Sequence, residues 1–305
     1  PDVARGFMLA LIALANVPFW IAYFPETPRA GHAALAAMGS ADQWWYLART
    51  MFVDRRAYPL FSILFGFGMA IMASRTIERE RRFALDALPP ELSAGWNPVQ
   101  WEIFRDRVER RAHRAAARLI RRRGWWMLAF GLLHGIVFSG DIIGAYGLVA
   151  VIFAEVIVMR RAWARILAGS LIATLSLMGI TMGGAMMGRE PMVLEYHGPM
   201  SLNAWYPLVS FGSWLVATPA TVLTALVVPC VMIGVGVARW GFLQDPRWRG
   251  ALLAGIAFGG LAFGALGGAP FALMQLDWAF SNSAAWSYPL FHASGVAGAC
   301  GWLAL

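Results

Sequence analysis

The sequence predicts an all-α fold, a polytopic bundle of about eight membrane-spanning helices, each needing about 20 apolar residues to cross a hydrocarbon core of about 30 Å. Three observations predict it. Of 305 residues, 59% are hydrophobic and 14% are charged, and the mean hydropathy is +0.58, a balance too apolar for a soluble chain of this length. Apolar runs of spanning length recur from one end of the chain to the other. The alternating strands of about ten residues that a transmembrane barrel requires are absent.

The first apolar run, 6–24, carries Arg5 at its start and lacks a small-residue cleavage site, so it reads as a span and not as a cleaved signal. Further spans are expected at 57–73, 124–140, 141–159, 163–187, 214–238, 250–270 and 284–305. The second opens on Asp54-Arg55-Arg56-Ala57-Tyr58-Pro59, where Pro59 suits a first helical turn because its missing donor would be unpaired anyway. Small residues after it permit close helix approach. The third and fourth are separated only by Phe138-Ser139-Gly140-Asp141, a turn sequence that makes them a helical hairpin. The prolines and Gly95 of 88–98 break any helix there and give a flexible connection. The organisation is thus one membrane domain: two spans and an outer segment (25–56) over 1–73, a basic loop over 74–123, and a six-span bundle over 124–305. The chain starts at Pro1 without Met and stops at Leu305 inside an apolar run, as expected of a chain lacking both natural ends.

The 25 basic residues and the net charge of +8 do not point to nucleic acid, because the basic residues lie between apolar spans, where they orient a membrane protein. All are Arg, which reads as the coding bias of a GC-rich genome. Most fall on the side of the 74–123 loop, together with Arg160, Arg161, Arg165, Arg239, Arg247 and Arg249. That loop is therefore expected in the cytoplasm, and the chain in a bacterial cytoplasmic (inner) membrane. The outer face then receives 25–56, the 138–141 turn, 188–213 and 271–283. Pro98 to Arg123 repeats Arg every three or four residues with Trp101, Ile103, Phe104, Val108, Leu119 and Ile120 between, an amphipathic helix with a basic face. Such a helix lies on anionic lipid or docks an anionic cytosolic cofactor. No Gly-rich phosphate loop accompanies it.

Ionisable groups within a membrane are costly and face a cavity or a partner, which makes Asp2, Arg5, His134, Asp141, Glu155 and His292 the first candidates for chemistry. His134 lies inside a span and Asp141 follows seven residues later, on roughly the same face were the helix to continue. A carboxylate beside a His fixes its tautomer and stabilises the imidazolium, as general-base or nucleophilic chemistry requires; a structural bond between helices uses the same pair. Asp2 and Arg5 share a helical face and can pair, and Asn16 suits an interhelical hydrogen bond. His32 and His197 fall in outer loops. Cys230 and Cys300 are too far apart in sequence for a CxxC site and read as packing residues. Neither HExxH nor a GxSxG elbow occurs, and no metal site is expected.

Asp2-x-x-Arg5-Gly6-Phe7 before the first span, Leu60-Phe61-Ser62-Ile63-Leu64-Phe65-Gly66-Phe67-Gly68 in the second, then Arg122-Arg123, Gly131-Leu132-Leu133-His134-Gly135 and Gly140-Asp141-Ile142-Ile143-x-x-Tyr146 follow one another in order. Over about residues 1–160 this pattern resembles the YeiB-like family, domain of unknown function 418. That family is grouped with the transmembrane acyltransferases, which include the lysosomal heparan glucosaminide acetyltransferase and bacterial surface-polysaccharide acyltransferases. The resemblance implies transfer of an acyl group from a cytosolic thioester, acetyl-CoA or another acyl-CoA, to a glycan or lipid on the outer side. It implies catalytic roles for His134 and Asp141, with His32 the nearest counterpart of the outer-segment His of the heparan enzyme. Asp2, Arg5, Arg122 and Arg123 are the expected donor-binding residues.

The expected partners are the bilayer and that acceptor, with a homodimer as the assembly weighed. Two other classes fit the same residues: a transporter or lipid-handling channel with a polar path of His, Asp and Arg, and a scaffold subunit whose Trp-rich outer loops bind another membrane protein.

Overall fold

The computed structural model describes residues 6, 9–10, 12–14, 39–137, 141–187, 205–241 and 250–305, and every regular element among them is helical. In chain order these are α1 (Ser40–Phe52), α2 (Ala57–Asp86), α3 (Pro90–Ser93), α4 (Pro98–Val137), α5 (Ile143–Ile152), α6 (Ala154–Val158), α7 (Ala162–Met187), α8 (Tyr206–Thr224), α9 (Val227–Trp240), α10 (Gly250–Gln275) and α11 (Ala284–Ala304). Among the described residues four helical stretches are long and apolar enough to cross a bilayer: Ser40–Asp86, Ala162–Met186, Tyr206–Thr224 and Gly250–Gln275. Only 17% of the apolar window of α7 is buried within the protein. Its Leu167, Leu171, Met178 and Met182 point outward, a surface that only lipid solvates well.

The expected spans at 57–73, 163–187 and 250–270 fall within α2, α7 and α10, and 284–305 coincides with α11 to within a residue, while the first, 6–24, lies mostly outside the described residues. Others are built differently from expectation. The run 214–238 is two helices, because the ring of Pro229 would strike the carbonyl of Ala225 in a continuous helix. The chain breaks there instead, with Leu226 at φ 57°. The run 141–159 is divided at Phe153 into α5 and α6. The last carbonyls of α6 are capped by arginine: Arg239 donates to Ile157 O at 2.6 Å and Val158 O at 2.8 Å, and Arg165 to Met159 O at 2.7 Å. The segment 25–56, expected as an outer loop, contains a helix, α1.

The basic stretch is not a separate helix. It is the first half of the 40-residue α4, which continues without a break into the apolar stretch ending at Val137. Its buried face is Ala112, Ala116, Ala117 and Ile120, the three alanines letting α4 lie close against α2, while Ile103 stays exposed and Trp101 and Phe104 cluster with Trp96. Arg81 of α2 grips Glu109 of α4 through two donors, at 2.7 and 2.6 Å, and Arg160 approaches at 3.7 Å. Partial burial pushes the Glu109 carboxyl up, but the Arg81 hydrogen bond and the charges of Arg81, His113 and Arg160 outweigh it and hold the carboxyl below the usual glutamate range.

Two packed centres organise the bundle. In one, α2, α4, α5, α6 and α9 enclose Tyr146, fully buried between Phe61 and Phe65. Its hydroxyl donates to Tyr58 O at 3.2 Å and sits 3.1 Å from Ser62 Oγ. Here α2 and α9 cross with their backbones in contact, at Gly66 against Val231 and at Gly234 against Ile63. In the other centre, Arg56 is 1% exposed. Its guanidinium donates to the carbonyls of Thr50 at 2.7 Å, Asp54 and Gly264 and lies 5.3 Å from the Phe291 ring. It ties the α1–α2 turn to α10 and α11.

Candidate functional site

His134 and Asp141 meet where α4 passes into α5. His134 lies in the last turn of α4, and Asp141 stands two residues before α5 begins. The first N–H groups of a helix have no partner within it. Asp141 supplies one by turning its carboxylate back over the entrance of α5: Oδ1 accepts from Ile143 N at 3.1 Å and Oδ2 from Gly144 N at 2.9 Å. The positive end of the helix dipole adds to the preference for a negative charge at this position.

That anchored carboxylate holds two side chains from other helices. His134 Nδ1 lies 2.9 Å from Oδ1, and Trp214 Nε1 of α8 donates to Oδ2 at 2.9 Å. An ionised carboxylate only accepts, so Nδ1 carries the proton and Nε2 is the basic nitrogen. The Asp141 side chain is 1% exposed, whereas that of His134 is 43% exposed. An accessible imidazole thus rests on a buried, four-donor carboxylate, an arrangement that can take up a proton or attack an electrophile while the ring is held in one tautomer.

Glycine makes the room for it. A Cβ on Gly135 would overlap Cδ1 of the Trp214 indole, and one on Gly144 would stand 2.6 Å from its Cζ2 and 2.8 Å from Asp141 Oδ2. Gly131 packs on the backbone of Gly144, which brings α4 and α5 close enough for His134 and Asp141 to touch. The pairing therefore arises across the connection between two antiparallel helices, not along one continuing helix.

The remaining candidates do not join this cluster. Glu155 pairs with Arg121 at 3.0 Å. His292 is buried in α11 with Nδ1 2.9 Å from Tyr288 O and its ring against Tyr288 and Phe291. Arg122 and Arg123 are exposed on α4. Asp2, Arg5, Asn16, His32 and His197 lie outside the described residues. Among the described residues no group of three or more His, Cys, Asp or Glu could hold a metal ion. Sequence reasoning missed Trp214 and Gly144; the one available signal was the indole N–H, which seeks an acceptor whenever it is buried in a bundle.

No family model matches the chain, and neither curated proteins nor solved structures yield a match.

Proposed function

We propose that the protein is a membrane acyltransferase in which His134 is the general base. The observation that carries this reading is the accessible His134 ring oriented by a buried Asp141 that is itself fixed by Trp214 and the entrance of α5. The motif resemblance to YeiB-like proteins adds the acyl thioester as donor. The excess of Arg on the side of residues 74–123 supports placing that side in the cytoplasm of a bacterial inner membrane, with the eight crossings expected from the apolar runs.

Along α4, His134 is eleven residues beyond Arg123, about 16 Å at the rise of an α-helix and roughly half a hydrocarbon thickness. A donor arriving among the arginines and an acceptor arriving from the opposite side would meet near that depth. The acceptor hydroxyl or amine gives its proton to His134 Nε2 as its oxygen or nitrogen attacks the thioester carbonyl. The C–S bond then breaks, and the thiolate leaves with the proton returned by the imidazolium. Asp141 stays ionised and stabilises the imidazolium, a contribution of the kind worth about 10²- to 10⁴-fold in rate.

The test is thiol release from acetyl-CoA by protein reconstituted in vesicles, with a glycan or lipid acceptor supplied. Thioester consumption matched by acetylated acceptor is expected. If no thioester binds and none is consumed, while a proton gradient drives solute flux without a covalent product, the protein belongs to the transporter class instead.

A further inference from the structure

Between α2 and α4 runs a groove of about 1260 Å³. Its walls change character along its length. On α2, Phe61, Phe65 and Met72 give way to Arg75 and Arg79, and on α4, Phe130 and Trp126 give way to Arg123. The two helices are joined by the short 87–97 connection and run in opposite directions, with Arg81 of one bonded to Glu109 of the other; in that register Arg123 stands level with about Phe67, and the charged end of the groove is formed by Arg75 and Arg79. From Phe61 to Arg75 is fourteen residues, about 21 Å of helix, against about 15 Å for one leaflet of a hydrocarbon core of about 30 Å. The apolar wall is thus long enough for an acyl chain of the adjoining leaflet, and the charged end falls where that leaflet's headgroups lie.

Among the described residues Arg75 has no carboxylate within 4.0 Å, and Arg79 reaches only its chain neighbour Glu80, at 4.0 Å. Other arginines of the same region are spoken for: Arg81 by Glu109, Arg82 by Glu78, Arg110 by Asp106 and Arg121 by Glu155. Guanidinium groups favour phosphate, with which they form paired, charge-assisted hydrogen bonds, and basic pockets between membrane helices select anionic headgroups.

We infer that this groove binds an anionic phospholipid of the leaflet on the arginine side, its phosphate at Arg75 and Arg79 and an acyl chain along Phe61 to Met72. The inference stands apart from acyl transfer, because neither His134 nor Asp141 lines the groove and the phosphate contacts, Arg75 and Arg79, are not the arginines expected to bind the donor.

Native mass spectrometry of the purified protein, titrated with phosphatidylglycerol or phosphatidylcholine, tests it. Wild type is expected to retain phosphatidylglycerol in strong preference to phosphatidylcholine. At about fivefold per arginine, the double variant Arg75→Gln/Arg79→Gln should lose about 25-fold in affinity for it. Both side chains are exposed, so the fold is retained, which an unchanged Tm would verify. Met72→Trp, which narrows the apolar wall and leaves every charge in place, should weaken binding as well. Arg82→Gln with Arg110→Gln, outside the groove, should change nothing. Equal retention of the two lipids, or full phosphatidylglycerol binding by the double variant, overturns the inference. Displacement of the lipid by acetyl-CoA does so too, by giving the groove to a soluble thioester.

Discussion

Asp141→Asn is expected to lower acyl transfer by about 10⁴-fold, the size of loss that follows when the carboxylate of a His–Asp pair becomes an amide. The reason lies in the four donors that converge on it. Oδ1 serves His134 Nδ1 and Ile143 N; Oδ2 serves Gly144 N and Trp214 Nε1. An amide offers one oxygen and one NH₂, so whichever way it turns, two donors face another donor. If the oxygen stays with Gly144 and Trp214, the NH₂ meets His134, which can pair with it only as the other tautomer, with the proton moved to Nε2 and the base lost. If the amide flips, the indole loses its acceptor and α8 its tether. A buried donor left unpaired costs about 1–3 kcal/mol, so a modest fall in Tm should accompany the loss of activity. Turnover is read from thiol release and stability from thermal unfolding in detergent. Wild-type turnover in Asp141→Asn would show that the carboxylate does not orient a reacting His.

The second large effect is on stability. Gly66→Val or Gly234→Val should destabilise the α2–α9 crossing by about 3 kcal/mol or more. A Cβ on Gly66 would overlap the carbonyl oxygen of Val231, and one on Gly234 that of Ile63. Side chains can rotate away from an intruding methyl, but these obstacles are backbone, so relief requires the two helices to separate. Their separation would open the core around Tyr146, to which Phe61 and Phe65 of α2 contribute. Close backbone approach through small residues is also a principal source of association between helices in lipid, where no hydrophobic force draws them together. Gly236→Ala on the same α9 is the control: its added Cβ meets nothing within 4 Å. Thermal unfolding should show a loss of several degrees for the first two variants and none for the third. Equal melting of all three would mean that the crossing is looser than the glycine contacts require.

Much of this was legible in the sequence, for identifiable reasons. Long apolar runs at α2, α7 and α10 announced themselves because lipid demands a continuous apolar stretch. His134 and Asp141 stood out because ionisable groups are rare in such runs, although the geometry joining them was expected along one helix and arises instead across the α4–α5 connection. Trp214 was invisible as a partner, since nothing local distinguishes an indole that meets a carboxylate 73 residues away from one that faces lipid. The α8–α9 break could have been read from Pro229, but Ala225-Leu226-Val227-Val228 keeps the run apolar, and hydropathy is blind to a backbone that turns without becoming polar. Arg56 looked like one more basic residue at the mouth of a span. Only the packed structure, with the carbonyls of Thr50, Asp54 and Gly264 around it, shows it as an internal clamp.

The most direct measurement is incubation of the purified protein with radiolabelled acetyl-CoA, wild type beside His134→Ala, followed by counting label on the protein, in acetylated acceptor and in hydrolysis products. Wild type should bind and turn over the thioester. His134→Ala leaves three of the four donors to Asp141 in place and should still fold, and it should lose turnover by about 10²- to 10⁴-fold. Full turnover by a folded His134→Ala protein would contradict the assignment of His134 as the base.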